Sequence, residues 1–116
     1  MTTTEIENAV NTLTAAVRHH YGDRLHGLYR VERGNLYEIV DRCDAEIAVV
    51  LSDSFRRTLD EQRELGSLTF DVLSETGVYI RAWPVSVSEW KDPALAGYPE
   101  HIVHLQKHAH PIMVPA

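Results

Sequence analysis

The chain is poor in cysteine, in positive charge and in long hydrophobic runs, and each of these shortages excludes a class of site or of partner. Its single cysteine, Cys43, excludes an internal disulfide and a cysteine-rich zinc site, and favours a cytoplasmic protein. No apolar run approaches the roughly 20 residues that a membrane-spanning helix needs. The 11 Lys and Arg are outnumbered by 17 Asp and Glu, so the net charge is -6. Because proteins that coat nucleic acid or anionic lipid are usually basic, we expect no direct nucleic-acid partner and no membrane.

What remains is an ordinary globular composition. The chain has 116 residues, of which 44% are hydrophobic and 24% are charged. These values suit one domain with one hydrophobic core. The sequence contains no internal repeat, no low-complexity stretch and no interior linker. We therefore predict a single domain over residues 1–116.

Hydrophobic periodicity predicts elements in the order α-β-β-α-β-α. Residues 4–20 repeat apolar side chains at steps of three and four, which is typical of an amphipathic helix. The run AEIAVVL at 45–51 is the clearest strand, since a nearly continuous apolar run is expected of a strand covered on both faces. The other predicted elements are a strand at 24–31, a helix from 52–54 to before Gly77, a strand at 78–84, and a last helix at about 99–108. We expect an α+β fold in which one small mixed sheet packs against helices.

Asp44 and Glu46 are the most suggestive residues, because they lie at the start of the clearest strand. Alternate side chains of a strand share a face, so residues two apart point the same way. Two carboxylates about 7 Å apart at the backbone can converge on one Mg²⁺, which prefers oxygen ligands and holds nucleotide phosphates. The same pair also fits polar residues that merely end a strand. The spacing alone leaves both interpretations open.

The run from Tyr21 to Leu51 (YGDRLHGLYRVERGNLYEIVDRCDAEIAVVL) resembles the minimal nucleotidyltransferase family of the DNA polymerase β-like superfamily. The similarity continues in DVLSETGVYIRAWPVSVSEWKDP at 71–93, and so covers most of residues 5–110. The resemblance implies a nucleotidyltransferase fold, with Mg²⁺ and ATP as cofactors if the site is active. It also implies roles for the matching residues: catalysis and metal binding for Asp44 and Glu46, and nucleotide binding for Arg30, Arg33 and Gly34.

This chain departs from the family pattern inside the site. The family's Gly-Ser, which lets a triphosphate approach the backbone, is replaced by Tyr29-Arg30. The second metal carboxylate is Glu46 instead of Asp, and its extra methylene displaces the oxygens by more than about 1 Å, a large shift where catalysis depends on positioning. The third carboxylate position aligns with Arg81, a cation that opposes a metal, and Asp71 is a weaker substitute. We therefore expect the fold to be retained and the active site to be degraded.

Two functions follow from the resemblance. Proteins that resemble this family are often encoded beside a HEPN-type toxin, a ribonuclease, and act as antitoxins by binding it or adenylylating it. Our first expectation is an antitoxin or regulator that binds such a toxin, since an acidic chain suits a basic RNA-binding cleft. The alternative is an active Mg²⁺-dependent nucleotidyltransferase that moves AMP from ATP to a protein hydroxyl. Self-association into a homo-oligomer is compatible with both.

Two further clusters lie in the last third of the chain. His101, His104 and His108 fall on one stripe of the last predicted helix, so they form either a Zn²⁺ or Ni²⁺ site or part of a surface or interface helix. Aromatic residues also gather there, and they either pack the third strand or form a partner surface. They are Trp83, Trp90, Tyr79 and Tyr98.

Overall fold

A computed structural model describes residues 2–32, 43–53 and 58–113. Within these ranges the chain forms the predicted α+β fold, a four-stranded mixed sheet packed with helices. The helices are α1 (Thr3–Tyr21), α2 (Thr58–Thr76), α3 (Val87–Lys91) and α4 (Pro99–Lys107). The strands are β1 (Leu25–Val31), β2 (Ala45–Leu51), β3 (Ile80–Ser86) and β4 (Ala109–Met113). Single 3-10 turns cover Gly22–Arg24 and Pro93–Leu95.

The sheet has the strand order β3-β2-β1-β4. The β1–β2 and β1–β4 pairs are antiparallel, and the β2–β3 pair is parallel, with Glu46 in register with Arg81. The predicted order α-β-β-α-β-α is confirmed, with the short helix α3 added between β3 and α4. Strand β4 was not predicted, because Pro111 interrupts a short segment directly after a helix, and proline in a strand is confined mainly to edges.

Helices cover both faces of the sheet. On one face, which we call the α1 face, α1 and α2 pack against β2 through residues such as Leu13, Leu65 and Ile47. On the other, the α4 face, Ala48 of β2 packs against Leu105 of α4 and its neighbours. All seven residues of β2 are buried, which confirms the prediction from its continuous apolar run. Glu46 is the one charged side chain in that strand.

The YGDRL segment forms a clamp between α1, β1 and α2. Gly22 ends α1 with φ 53°, a left-handed value that favours glycine. Arg24 then donates from Nη2 to Oε1 of Glu61 on α2 at 2.7 Å, and its guanidinium carbon lies 5.5 Å from the centroid of the Tyr21 ring. Since the Glu61 side chain is fully buried, this ion pair holds α2 against the turn between α1 and β1.

Both edge strands of the described sheet contain a proline, Pro84 in β3 and Pro111 in β4. A proline cannot donate a ladder hydrogen bond, so it blunts an edge that would otherwise recruit another strand. Among the described residues, none of the helices combines the length and the hydropathy that crossing a bilayer requires.

Candidate functional site

Asp44 lies directly before β2, where its side chain is exposed. Its Oδ2 accepts a hydrogen bond from the backbone N–H of Tyr79 at 2.8 Å, and its own N–H donates to the Tyr79 carbonyl oxygen, also at 2.8 Å. Tyr79 directly precedes β3, so these bonds fasten the entry of β2 to the entry of β3. One carboxylate oxygen of Asp44 is thus engaged in joining two parallel strands.

Glu46 lies inside the protein, with only 4% of its surface exposed. Its Oε2 accepts a hydrogen bond from the indole Nε1 of Trp83 on β3. Trp83 packs against the core on the α4 face, so the Glu46 carboxylate points to that face. A buried charge needs a donor of this kind, because an isolated carboxylate in an apolar interior is costly. Asp44 and Glu46 therefore have different protein partners, one a backbone amide and the other an indole.

Arg81 lies beside Glu46 in the parallel ladder. Its guanidinium carbon is 5.4 Å from the centroid of the Trp83 ring, and its Nη2 donates to the hydroxyl of Tyr79 at 3.4 Å. The position that the resemblance assigns to a third carboxylate is thus held by a cation. The weaker substitute, Asp71, is exposed on α2, and α2 packs on the α1 face.

Arg30 is directed away from the acid pair. Its Nη1 donates to Oε1 of Glu7 on α1 at 2.9 Å, which places the guanidinium on the α1 face, across the sheet from Glu46. The neighbouring Tyr29 is on the α4 face, where its ring centroid lies 4.9 Å from that of Trp90. The other two predicted nucleotide-binding residues, Arg33 and Gly34, lie outside the described residues.

The histidine stripe does not assemble into a metal-binding group. The rings of His104 and His108 meet edge to face with centroids 5.0 Å apart, while His101 contacts the ring of Trp83 at 4.5 Å. In the ranges 2–32, 43–53 and 58–113 there is no group of three or more metal-binding side chains that could share an ion. Of the two interpretations of the stripe, a metal site and a surface or interface helix, these contacts give no support to the first among the described residues.

Asp53 is an unpredicted connection between β2 and α3. Its Oδ1 accepts from the backbone N–H of Ser88 at 3.0 Å, and its Oδ2 accepts from the Ser88 hydroxyl. The Ser88 hydroxyl, followed by the Ser88 amide, lowers the pKa of Asp53 below its ordinary value of 3.8. The start of α3 itself was predictable, since Ser86 and Glu89 form the capping box that the S-x-x-E spacing indicates.

Beside the outer edge of β3 the structure contains a pocket of about 710 Å³. It extends from Gln62 on α2 to the first turn of α4. Its walls combine aromatic rings with two carboxylates, and none of the described lining residues is Lys or Arg. The side chains that matter most are Trp83, Tyr98, His101, Glu89 and Glu100. No single motif indicated it, because its lining comes from four separate segments.

Comparison of the chain with protein-family models, with curated proteins and with solved structures gives no match in any of the three. The likeness to minimal nucleotidyltransferases therefore depends on the residues that carry the sequence resemblance.

Proposed function

We propose that this chain is a nucleotidyltransferase-fold protein that acts by binding a protein partner, as an antitoxin or regulator of a HEPN-type toxin, and whose own nucleotidyltransferase site is degraded. The observation that supports this most is the environment of Glu46. The residue is 4% exposed, and its carboxylate accepts the indole hydrogen of Trp83. A side chain used in this way serves the core of the protein.

The residues at the acid pair do not fit Mg²⁺. This ion requires near-octahedral oxygen coordination and usually keeps several of its waters, so its ligands must be open to solvent. Glu46 is enclosed, and the cationic side chain of Arg81 stands next to it in the ladder. Asp44 is exposed, but one of its oxygens already holds the amide of Tyr79.

Arg30, the one expected phosphate contact among the described residues, is also displaced. A triphosphate bound near Glu46 would need cations on the α4 face. Arg30 instead forms an ion pair with Glu7 on the α1 face. Tyr29, which replaces the small residue of the family pattern, packs against Trp90 on the α4 face. Both observations favour a fold that has kept its shape while losing its nucleotide site.

A surface suited to a protein partner is present on α2. Leu59 is 52% exposed, Phe70 is 64% exposed and Leu73 is 37% exposed, and these residues lie on one stripe of the helix together with the exposed Gly66. Contiguous exposed apolar side chains mark interaction sites more often than isolated ones do. The prolines in β3 and β4 disfavour attachment by strand addition. A partner is therefore expected to bind through side chains and helix faces.

The nucleotide half of the proposal is tested by titrating the full chain with ATP and MgCl₂ in a calorimeter, alongside transfer of label from radioactive ATP. We expect no heat of binding and no labelled product, with Asp44→Ala indistinguishable from the unmodified chain. Label transfer that disappears in Asp44→Ala would restore the alternative, an Mg²⁺-dependent enzyme that moves AMP to a protein hydroxyl.

The partner half is tested by co-expression with the product of the adjacent gene. We expect a stable complex on size exclusion, weakened by Phe70→Ser because that change removes an exposed apolar contact. Ser67→Ala, an exposed position on the same helix, is the matched control and should leave the complex intact. Elution of the two proteins separately would contradict the proposal.

A further inference from the structure

The pocket beside β3 has a chemistry that the proposed function does not use. Two of its lining residues are carboxylates, Glu89 on α3 and Glu100 on α4, and two are aromatic, Trp83 and Tyr98. None of the described lining residues is Lys or Arg. Carboxylates attract cations, and an aromatic face such as that of Tyr98 adds to that attraction through its negative potential. The Trp83 ring already has the guanidinium carbon of Arg81 at 5.4 Å from its centroid, which shows that this ring accepts a cation. An anionic ligand such as a nucleotide would meet repulsion here.

We propose that this pocket receives an arginine or lysine side chain from the partner protein. The proposal rests on the proposed function, since it names the chemical group by which the partner is held. A volume of about 710 Å³ falls within the range of sites that enclose small organic groups. The net charge of -6 favours a basic partner in the same way.

The walls of the pocket are held in place before any ligand arrives. The indole of Trp83 is fixed by its hydrogen bond to Glu46 and by the edge of the His101 ring at 4.5 Å. Oε1 of Glu89 accepts from the Ser86 hydroxyl at 2.8 Å in the capping box of α3. Preorganised groups lose little conformational entropy when they bind. This arrangement favours capture of one specific side chain.

The location of the pocket also favours a side chain over a strand. Pro84, which lies on the edge strand β3, is one of its lining residues. Because proline lacks an N–H, an incoming strand would miss a ladder bond at this point. Tyr98, at 80% exposure, stands at the rim where a partner's side chain would enter. The geometry thus suits a cationic group on an apolar stem.

The test uses the full chain carrying Trp90→Phe. The chain has two tryptophans, so Trp83 is then its only tryptophan and the source of the indole fluorescence. Its fluorescence is followed during titration with capped pentapeptides that differ only at the centre: Ala-Ala-X-Ala-Ala with X as Arg, Lys, Gln or Glu. We expect saturable binding of the Arg and Lys peptides, about tenfold tighter than the Gln peptide, which is the scale of one cation–aromatic contact supported by charge. Equal binding of the Arg and Gln peptides would overturn the proposal.

Variants assign the binding to the pocket. Glu100→Gln removes one carboxylate and should weaken the Arg peptide several-fold, whereas Glu75→Gln, at an exposed position on α2, should change nothing. If the Glu100→Gln and Glu75→Gln variants bind the Arg peptide with equal affinity, the peptide binds elsewhere on the chain and this site is rejected. N-propylguanidine supplies the same singly charged guanidinium on an apolar stem without a peptide, and if it binds more tightly than the Arg peptide, the ligand is a free small cation and the partner side chain is rejected.

Failure of this proposal differs from failure of the proposed function. If the complex with the adjacent gene product forms and Glu100→Gln leaves it unchanged, the pocket is not the anchor and the partner role stands. If the Arg peptides bind but no complex with that product forms, the chemistry of the pocket stands and the toxin-binding role falls.

Discussion

The indole Nε1 of Trp83 donates a hydrogen bond to Oε2 of Glu46, joining the parallel strands β2 and β3 on the α4 face. This contact joins the predicted acid pair to the pocket beside β3. Glu46 is the acid that the family resemblance assigns to a metal, and Trp83 is a wall of the pocket beside β3. In this structure the Glu46 carboxylate therefore holds a wall of that pocket in place.

Removing the Glu46 carboxylate should destabilise the protein. Glu46→Ala leaves the Trp83 N–H without its acceptor in a partly buried position, and an unsatisfied buried donor costs about 1–3 kcal/mol, so the loss should fall at the lower end of that range. Glu46→Gln keeps an oxygen that can accept the indole hydrogen, so its cost should be smaller. Urea denaturation monitored by far-UV circular dichroism measures both. Equal stability of Glu46→Ala and the unmodified chain would show that the bond contributes nothing.

Breaking the ion pair between the partly exposed Arg24 and the fully buried Glu61 should have the larger effect. Arg24→Ala leaves the fully buried Glu61 side chain without its guanidinium, and a broken buried pair costs about 3–5 kcal/mol. Arg63→Ala, at an exposed position on the same helix as Glu61, is the control and should stay within about 0.5 kcal/mol. Chemical denaturation of the three proteins in parallel gives the comparison. If Arg24→Ala and Arg63→Ala lower the free energy of unfolding by similar amounts, the ion pair between Arg24 and Glu61 does not stabilise the fold.

Asp53 gives a prediction about pH. Its pKa is lowered in the folded chain by the Ser88 hydroxyl and amide, so its ionised form stabilises the fold at pH values above its ordinary 3.8. That contribution is lost as the pH falls below 3.8 through the folded pKa. The stability advantage of the unmodified chain over Asp53→Asn should therefore shrink between about pH 6 and about pH 3.

Two measurements check the assignment to Asp53. Denaturation midpoints of both proteins across that pH range give the size of the advantage. A carbon-detected NMR titration follows the carboxyl itself, and Ser88→Ala should move its pKa upward toward 3.8 without reaching it, because the backbone amide remains as a donor. If the Asp53 carboxyl has the same pKa in Ser88→Ala as in the unmodified chain, the Ser88 hydroxyl is not the main cause of the lowered pKa.

Gly27 leaves room for the Tyr29 ring. A Cβ atom added at Gly27 would lie 3.0 Å from Cε2 of Tyr29, closer than ordinary contact. Gly27→Ala should displace this ring from Trp90 and cost about 1–3 kcal/mol, typical of overpacking. In a Tyr29→Leu background the same change should cost much less. The free energy of unfolding is measured by urea denaturation. If Gly27→Ala lowers it equally in the unmodified chain and in Tyr29→Leu, the strain does not come from contact with the Tyr29 ring.

The sequence predicted the interior of the fold better than its periphery. The apolar run of β2 indicated a strand covered on both faces, and it is buried throughout. Periodicity predicts an apolar stripe on α2, a prediction that is partly wrong; the stripe consists of Leu59, Leu65, Leu68, Val72, Leu73 and Phe55, the last of which lies outside the described residues. Leu65 and Val72 face the core, as predicted, whereas Leu59 and Leu73 face solvent, because the helix is covered by the rest of the protein on one side only. Local periodicity cannot show which of two apolar stripes a helix buries.

At the candidate site, the spacing located two acids without showing what they contact. Trp83, the partner of Glu46, lies 37 positions later in the chain, and Glu7, the partner of Arg30, lies 23 positions earlier. Such contacts arise from the tertiary fold and leave no local pattern. The metal and nucleotide roles of Asp44, Glu46 and Arg30 stay predictions, as do those of Arg33 and Gly34.

The pairing of β1 with β4 has a consequence for biosynthesis. Strand β1, at residues 25–31, pairs on its outer side with β4, at residues 109–113, so most of the chain separates the two strands in sequence. While the polypeptide is still emerging from the ribosome, β1 has one open flank, and the intervening helices can collapse before it is covered. Long-range closure of this kind slows folding and lengthens the time that a nascent strand is available to chaperones.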